Sequence, residues 1–174
     1  MDVKNVVTGF LEENCYVIIK DKKALIVDPG DDYLKIKDAI GDNKIVGVLI
    51  THSHFDHIGA LRNFLTKRSI KIFKKSNLEE KEYEVDGFKF ECIYTPGHSK
   101  DSVTFYFRDE KIMFIGDFIF KEAIGRVDLP GGDAKEMQES IKKILTYDDD
   151  ITLYPGHYEA TTLGDEKNRN SYLK

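Results

Sequence analysis

Apolar residues in this chain gather in short runs, mostly of strand character, and recur at helical spacing in only a few stretches. Residues 14–20 and 24–28 read as two strands, with Asp21-Lys22-Lys23 as the turn between them. Asp28-Pro29-Gly30 then stops the second strand, because proline removes a ladder donor and glycine frees the backbone. A helix over 32–40 would gather Leu34, Ala39 and Ile40 beside Ile36. Residues 45–50 form a nearly continuous apolar run around Gly47, which suits a strand covered on both faces. One helix should follow, with Ile58, Leu61, Phe64 and Leu65 on a single stripe.

The stretch 66–91 is rich in Lys and Glu. It reads as a strand at 70–73, a solvated connection, and a hairpin turning at Asp86-Gly87. Residues 88–94 form a strand that runs into Thr95-Pro96-Gly97-His98. Residues 103–107 and 111–115 pair around Arg108, Asp109 and Glu110, and the second strand ends at Gly116-Asp117. The clearest helix covers 134–146. It starts at Asp133 with Glu136 three residues on, and Met137, Ile141, Ile144 and Leu145 make its apolar stripe. A last strand at 151–154 leads to Pro155-Gly156-His157. Strands interleaved with a few helices predict a mixed α/β fold.

A length of 174 residues predicts one domain, spanning 1–174, with a sizeable core. Hydrophobic residues at 41% and charged residues at 33% fit a globular chain rather than a disordered one. A net charge of −5 argues against holding a nucleic-acid backbone, which needs a basic excess. The first ten residues carry Asp2 and no apolar leader, and no apolar run approaches the ~20 residues of a membrane span. The expectation is a cytoplasmic protein with no membrane partner, and Cys15 and Cys92 are expected as buried free thiols. Oligomeric state leaves no mark in the sequence.

Four times an apolar strand ends in a small or turn-forming residue and then a metal-capable side chain: Thr51-His52, Gly97-His98, Gly116-Asp117 and Gly156-His157. Strand ends fix such groups while loops leave room for a substrate. His52 and His54 are two apart, so an extended segment points both the same way. Asp56 and His57 are adjacent and should diverge, which is awkward for one metal and suitable for two neighbouring ones. His98, Asp117 and His157 bring the candidate ligands to seven, more than one catalytic ion with an open position takes. Two close divalent ions would lower the pKa of bound water from 15.7 toward ~7, so that a shared hydroxide attacks a carbonyl. Asp56 is the group placed to orient that nucleophile and manage its proton.

The run His52-x-His54-x-Asp56-His57, with His98, Gly116-Asp117 and Gly156-His157, resembles the metallo-β-lactamase superfamily, and within it the small glyoxalase II-like hydrolases. Asn14-Cys15-Tyr16, Asp28-Pro29-Gly30, Thr95-Pro96-Gly97-His98 and Ile124-Gly125-Arg126 match that group in order and approximate spacing. The resemblance covers essentially the whole chain. It implies a four-layer αββα sandwich. It also implies that His52, His54 and His98 hold one metal, that Asp56, His57 and His157 hold a second, and that Asp117 bridges them. Zinc is the implied ion, with iron or manganese as alternatives. Arg126 falls where glyoxalase II-like enzymes place a basic residue for the thiol carrier, and Asp28 reads as a strand-ending turn.

The chain departs from the full-length pattern at Asp128, where an aromatic residue is usual, and at Tyr158-Glu159-Ala160. Too few residues follow Gly164 for the helical domain that grips glutathione, so the carrier thiol is not implied. The expected function is hydrolysis of a small-thiol acyl thioester. The alternatives are a one-iron persulfide dioxygenase using His52, His98 and Asp117, and hydrolysis of another ester or amide, a β-lactam included.

Overall fold

Apolar alternation sorts this chain into two sheets that face one another. The computed structural model describes residues 1–65 and 70–174, so the 66–69 part of the Lys- and Glu-rich stretch lies outside the described residues. The first half runs β1 (Asp2–Thr8), β2 (Glu13–Lys20), β3 (Lys23–Val27), α1 (Tyr33–Ile40), β4 (Lys44–Leu49), α2 (Phe55–Ile58), α3 (Leu61–Phe64) and β5 (Lys71–Phe73). The second runs β6 (Glu82–Val85), β7 (Phe88–Tyr94), β8 (Val103–Phe107), β9 (Ile112–Gly116), β10 (Ile119–Phe120) and β11 (Ala123–Ile124). It continues with α4 (Ala134–Ile144), β12 (Thr152–Pro155), β13 (Thr161–Thr162) and α5 (Leu163–Arg169). One sheet has the order β1-β2-β3-β4-β5, the other β13-β12-β9-β8-β7-β6, and β10-β11 is a small ribbon.

Between the sheets, Ile18, Leu25 and Val27 meet Phe88, Phe90, Phe105, Phe107 and Phe114. Each buried Phe contributes roughly 1.5–3 kcal/mol. The odd positions of β8 point into this layer, whereas Tyr106 on β8 and Met113 and Ile115 on β9 face the outside, where Met137, Ile141 and Ile144 of α4 cover them. On the other side Val17, Ile26 and Val48 pack beneath Ile36, Ile40 and Phe64 of α1 and α3. Helix, sheet, sheet, helix is the expected αββα sandwich. Cys15 and Cys92 are both buried and free.

Both predicted turns form, each as a two-residue hairpin loop. Asp21 and Lys22 have φ of 49° and 58°, and Asp86 and Gly87 have 52° and 93°, the paired positive values a tight hairpin requires. Lys23 belongs to β3 rather than to its turn.

Two expectations about helices need correction. The single helix across 58–65 is two short ones. The amide of Ala60 bonds back to the carbonyls of Pro29 and Gly30, and a Cβ on Gly59 would lie 2.3 Å from the Gly30 oxygen, so the β3–α1 loop wedges the helix apart. Leu34 stands 69% exposed because the buried face of α1 is Ile36 and Ile40 alone. The sequence reading also passed over β1, the ribbon, β13 and α5.

Strand direction positions the site. β3 and β4 run parallel, as do β9 and β12, so their C-terminal ends share one edge of the sandwich. At that edge the Val103 amide reaches Thr51 O across the sheets (2.8 Å), and Asn14 N reaches Gly156 O (2.7 Å). Among the described residues, no helix is long and apolar enough to cross a membrane.

Candidate metal centre

β4 leads into Thr51-His52, and His54 is extended before the chain turns into α2, where Asp56 and His57 sit. β7 delivers His98, β9 delivers Asp117, and β12 delivers His157. All seven predicted residues converge. His54 Nδ1 lies 3.1 Å from His52 Nε2 and 3.0 Å from His98 Nε2. Beside this group, Asp56, His57 and His157 each offer a ligand atom within 4.8 Å of the others'. Asp117 stands between the groups. Its Oδ1 is 3.3 Å from His57 Nε2, and its Oδ2 is 3.5 Å from His98 Nε2 and 3.6 Å from His157 Nε2.

The expectation that Asp56 and His57 would diverge toward different ions does not hold, since both face the second group. That expectation assumed an extended backbone. One helical turn lets Asp56 Oδ2 come within 3.9 Å of His57 Nε2.

The donor set fits metal ions. Nitrogens bound at about 2.0–2.1 Å around a tetrahedral ion sit roughly 3.3 Å apart, close to the spacing of the first group. His57 Nε2 and Asp117 Oδ1 are buried with no hydrogen-bond partner, a costly arrangement that an ion between them would relieve.

Ring orientation is fixed from behind. His52 Nδ1 faces Thr51 Oγ1 (3.1 Å), His57 Nδ1 faces Asp28 Oδ2 (2.9 Å), His98 Nδ1 faces Arg126 O (2.8 Å) and His157 Nδ1 faces Leu11 O (3.1 Å). With those nitrogens carrying the proton, four histidines present Nε2 and His54 presents Nδ1. Asp28 is therefore more than a strand-ending turn. Its carboxylate also accepts from the Thr51 amide (2.7 Å) and hydroxyl, locking two ligand-bearing segments together. Asp28→Asn should weaken metal binding by roughly 10–100-fold with the fold intact, as losses behind a ligand do. Unchanged affinity in a competitive chelator titration would contradict this.

Asn14 and Asp101 tie the loops. Asn14 Nδ2 donates to Pro155 O and Tyr158 O, holding the loop that carries His157. Asp101 accepts from Ser53 and Ser99, joining the His52–His54 segment to that of His98. Gly156 and Gly125 leave space: a Cβ on Gly125 would lie 1.8 Å from Asp117 O. Glu13 escaped the sequence reading because nothing marks it out within an apolar strand. It is fully buried, accepts from Thr8 Oγ1 (2.8 Å), and burial pushes its carboxyl up to about 9.

Charge is balanced between imidazoles and carboxylates. Burial works against charged His57, but Asp117 and Asp28 outweigh it and hold its imidazolium well above the usual histidine range. His157 moves the same way, burial being outweighed by Asp56 and Asp117. His52 and His54 move down, through burial first and neighbouring imidazoles second. A metal takes the neutral ring, so filling the second group must displace protons at neutral pH, and affinity should fall as pH falls. Calorimetric titration with metal in two buffers of different ionisation heat should show proton release at pH 7. Identical heats would refute it.

A cleft of about 660 Å³ opens over these groups. Arg126 stands at its rim, exposed, with its guanidinium paired to Asp128 rather than directed at the seven residues.

The metallo-β-lactamase superfamily model matches residues 8–82 and 76–157. A hydroxyacylglutathione hydrolase, GloC of Haemophilus influenzae, is 31% identical over 96% of this chain and 95% of its own. Among solved structures, the B3 metallo-β-lactamase BLEG-1 superposes with a TM-score of 0.92 at 31% identity, over 99% of both chains. TTHA1623 in a di-iron-bound form gives 0.88 at 28% identity, over 97% of this chain and 99% of that one. Histidine tips, sandwich and sequence match all lead to the same place: the chain belongs to the metallo-β-lactamase superfamily.

Proposed function

We propose that this protein hydrolyses small-thiol acyl thioesters at a centre of two divalent transition-metal ions, zinc by first choice. The carrying observation is that Asp117 turns its two carboxylate oxygens to both groups at the floor of a cleft. His52, His54 and His98 would hold one ion, Asp56, His57 and His157 the other, with Asp117 shared. Bound there, the ions supply Lewis acidity toward a carbonyl oxygen and an acidified water. Similarity to GloC supports a thioester, and similarity to a di-iron protein makes iron the first alternative to zinc.

The residues account for the remaining work. Burial raises the affinity of Asp56 for a proton, but the His157 bond and the His57 charge hold it below the usual carboxylate range, so it stays an acceptor facing the cleft. It would orient the attacking water and take one of its protons. The water oxygen then joins the acyl carbon, the carbon–sulfur bond breaks, and the thiol leaves with a proton passed back from Asp56. Apolar walls limit access of bulk water to the reacting carbonyl.

The test is metal analysis and a substrate panel on one preparation: acyl thioesters, a β-lactam and a glutathione persulfide. Thioester turnover is expected, and Asp56→Ala should lower kcat by about 10²–10⁴, the range for a lost acid–base group, while the unfolding midpoint holds. Oxygen uptake on the persulfide with one iron per chain, and no thioester cleavage, would move the assignment to the dioxygenase. Wild-type turnover in Asp56→Ala would defeat its role.

A further inference from the structure

Beyond five of the seven side chains at its floor, the cleft is walled by Leu11, Phe55, Phe120, Ile124, Leu129 and Tyr158. Two of these stand out in water at the mouth: Phe55 is 67% exposed and Tyr158 is 73% exposed. Aromatic rings held in that position gain from being covered by an apolar group. Among the described residues lining the cleft, Arg126 is the one Lys or Arg. Its Nε and Nη2 donate to the two oxygens of Asp128 at 2.9 Å each, a bidentate pair that takes up one of the two planar edges a ligand carboxylate could use.

We infer that the thioester accepted here carries an uncharged, largely apolar thiol, and that Asp128 discriminates against anionic carriers by occupying Arg126. The inference rests on the thioesterase reading and adds the chemistry of the carrier to it. A carboxylate entering the cleft gives up hydration and needs a charged donor in return. Arg126 already commits its Nε–Nη2 edge to Asp128 and can offer only its remaining Nη donors, so the newcomer must sit beside the negative charge of Asp128. An uncharged carrier meets neither cost, and it covers Phe55 and Tyr158. Both members of the pair are solvent-exposed, so the discrimination is a matter of fold-changes rather than of absolute exclusion.

The experiment compares N-acetyl-S-lactoylglutathione, whose only charges are its two carboxylates, with the same thioester bearing both carboxylates as methyl esters, using metal-loaded protein at fixed ionic strength. The esterified substrate should show about a ten-fold higher kcat/KM, and Asp128→Asn should raise kcat/KM for the charged one about five-fold, narrowing the ratio. Asp128 is exposed and packs into no core, so the variant will fold. A preference for the charged substrate, or a ratio unmoved in Asp128→Asn, would overturn the inference. Hydrolysis of neither, by protein shown to hold metal, would instead overturn the thioesterase reading beneath it.

Discussion

Replacing Asp117 by Asn should cost this protein most of its activity and at least one of its metal ions. The carboxylate follows Gly116 at the end of β9, and its side chain is only 12% exposed. Burial would raise its proton affinity, yet His57 first, then His157 and His98, hold it ionised. Asn keeps the volume but removes the charge, and it turns one oxygen into an amide nitrogen that cannot accept from, or coordinate beside, the rings it faces. Thioester kcat should fall by about 10³, the scale lost when one key electrostatic group leaves an acyl-transfer site. Metal content should drop by about one ion per chain, while circular dichroism stays unchanged. Full turnover with two ions retained would remove Asp117 from the centre of the account.

Gly156→Ala should be nearly as damaging, although it removes no ligand. An added Cβ would lie 2.3 Å from Asp117 Oδ1 and 2.6 Å from His57 Cε1. Contacts this short force movement, and the Asp117 carboxylate is the part able to move. Overpacking of this kind typically destabilises by about 1–3 kcal/mol. The larger effect is on function, because ligands displaced by a fraction of an ångström no longer share a focus. Metal affinity should fall by roughly 10–100-fold, read by competition with a chromophoric chelator. A variant with wild-type affinity would mean that the site tolerates a methyl where the geometry leaves no room.

What the sequence made legible follows from what its residues say locally. Continuous apolar runs ending in Gly-His or Gly-Asp marked the strand tips, and the five histidines were few enough to be gathered into one site. β1 was missed because it is a mostly exposed edge strand whose Val6-Val7 pair breaks alternation. The ribbon β10-β11 depends on distant groups: Asn170 Nδ2 donates to Phe120 O and Ala123 O, and buried Glu166 accepts from the Glu122 amide. No local pattern announces such bonds. α5 has no apolar stripe, yet its start was readable, for Thr162 Oγ1 caps the Asp165 amide in a Thr-x-x-Asp arrangement.

The site was legible as a set and less so as a geometry. The adjacency of Asp56 and His57 suggested divergence because the local backbone was taken as extended, whereas a single helical turn brings both to one group. Asp28 looked like punctuation from its Pro and Gly neighbours. Its work behind His57 and Thr51 emerges only when β3 and β4 lie side by side. Arg126 matched a pattern by position, but its guanidinium engages Asp128 while its carbonyl orients His98.

At the root of the account stands a two-ion centre built from seven side chains at one edge of the sandwich. Mass-spectrometric metal analysis of the protein as purified, with no metal added, tests it most directly. Close to two transition-metal ions per chain is the predicted result. One ion or none, unchanged after dialysis against excess zinc, would contradict it.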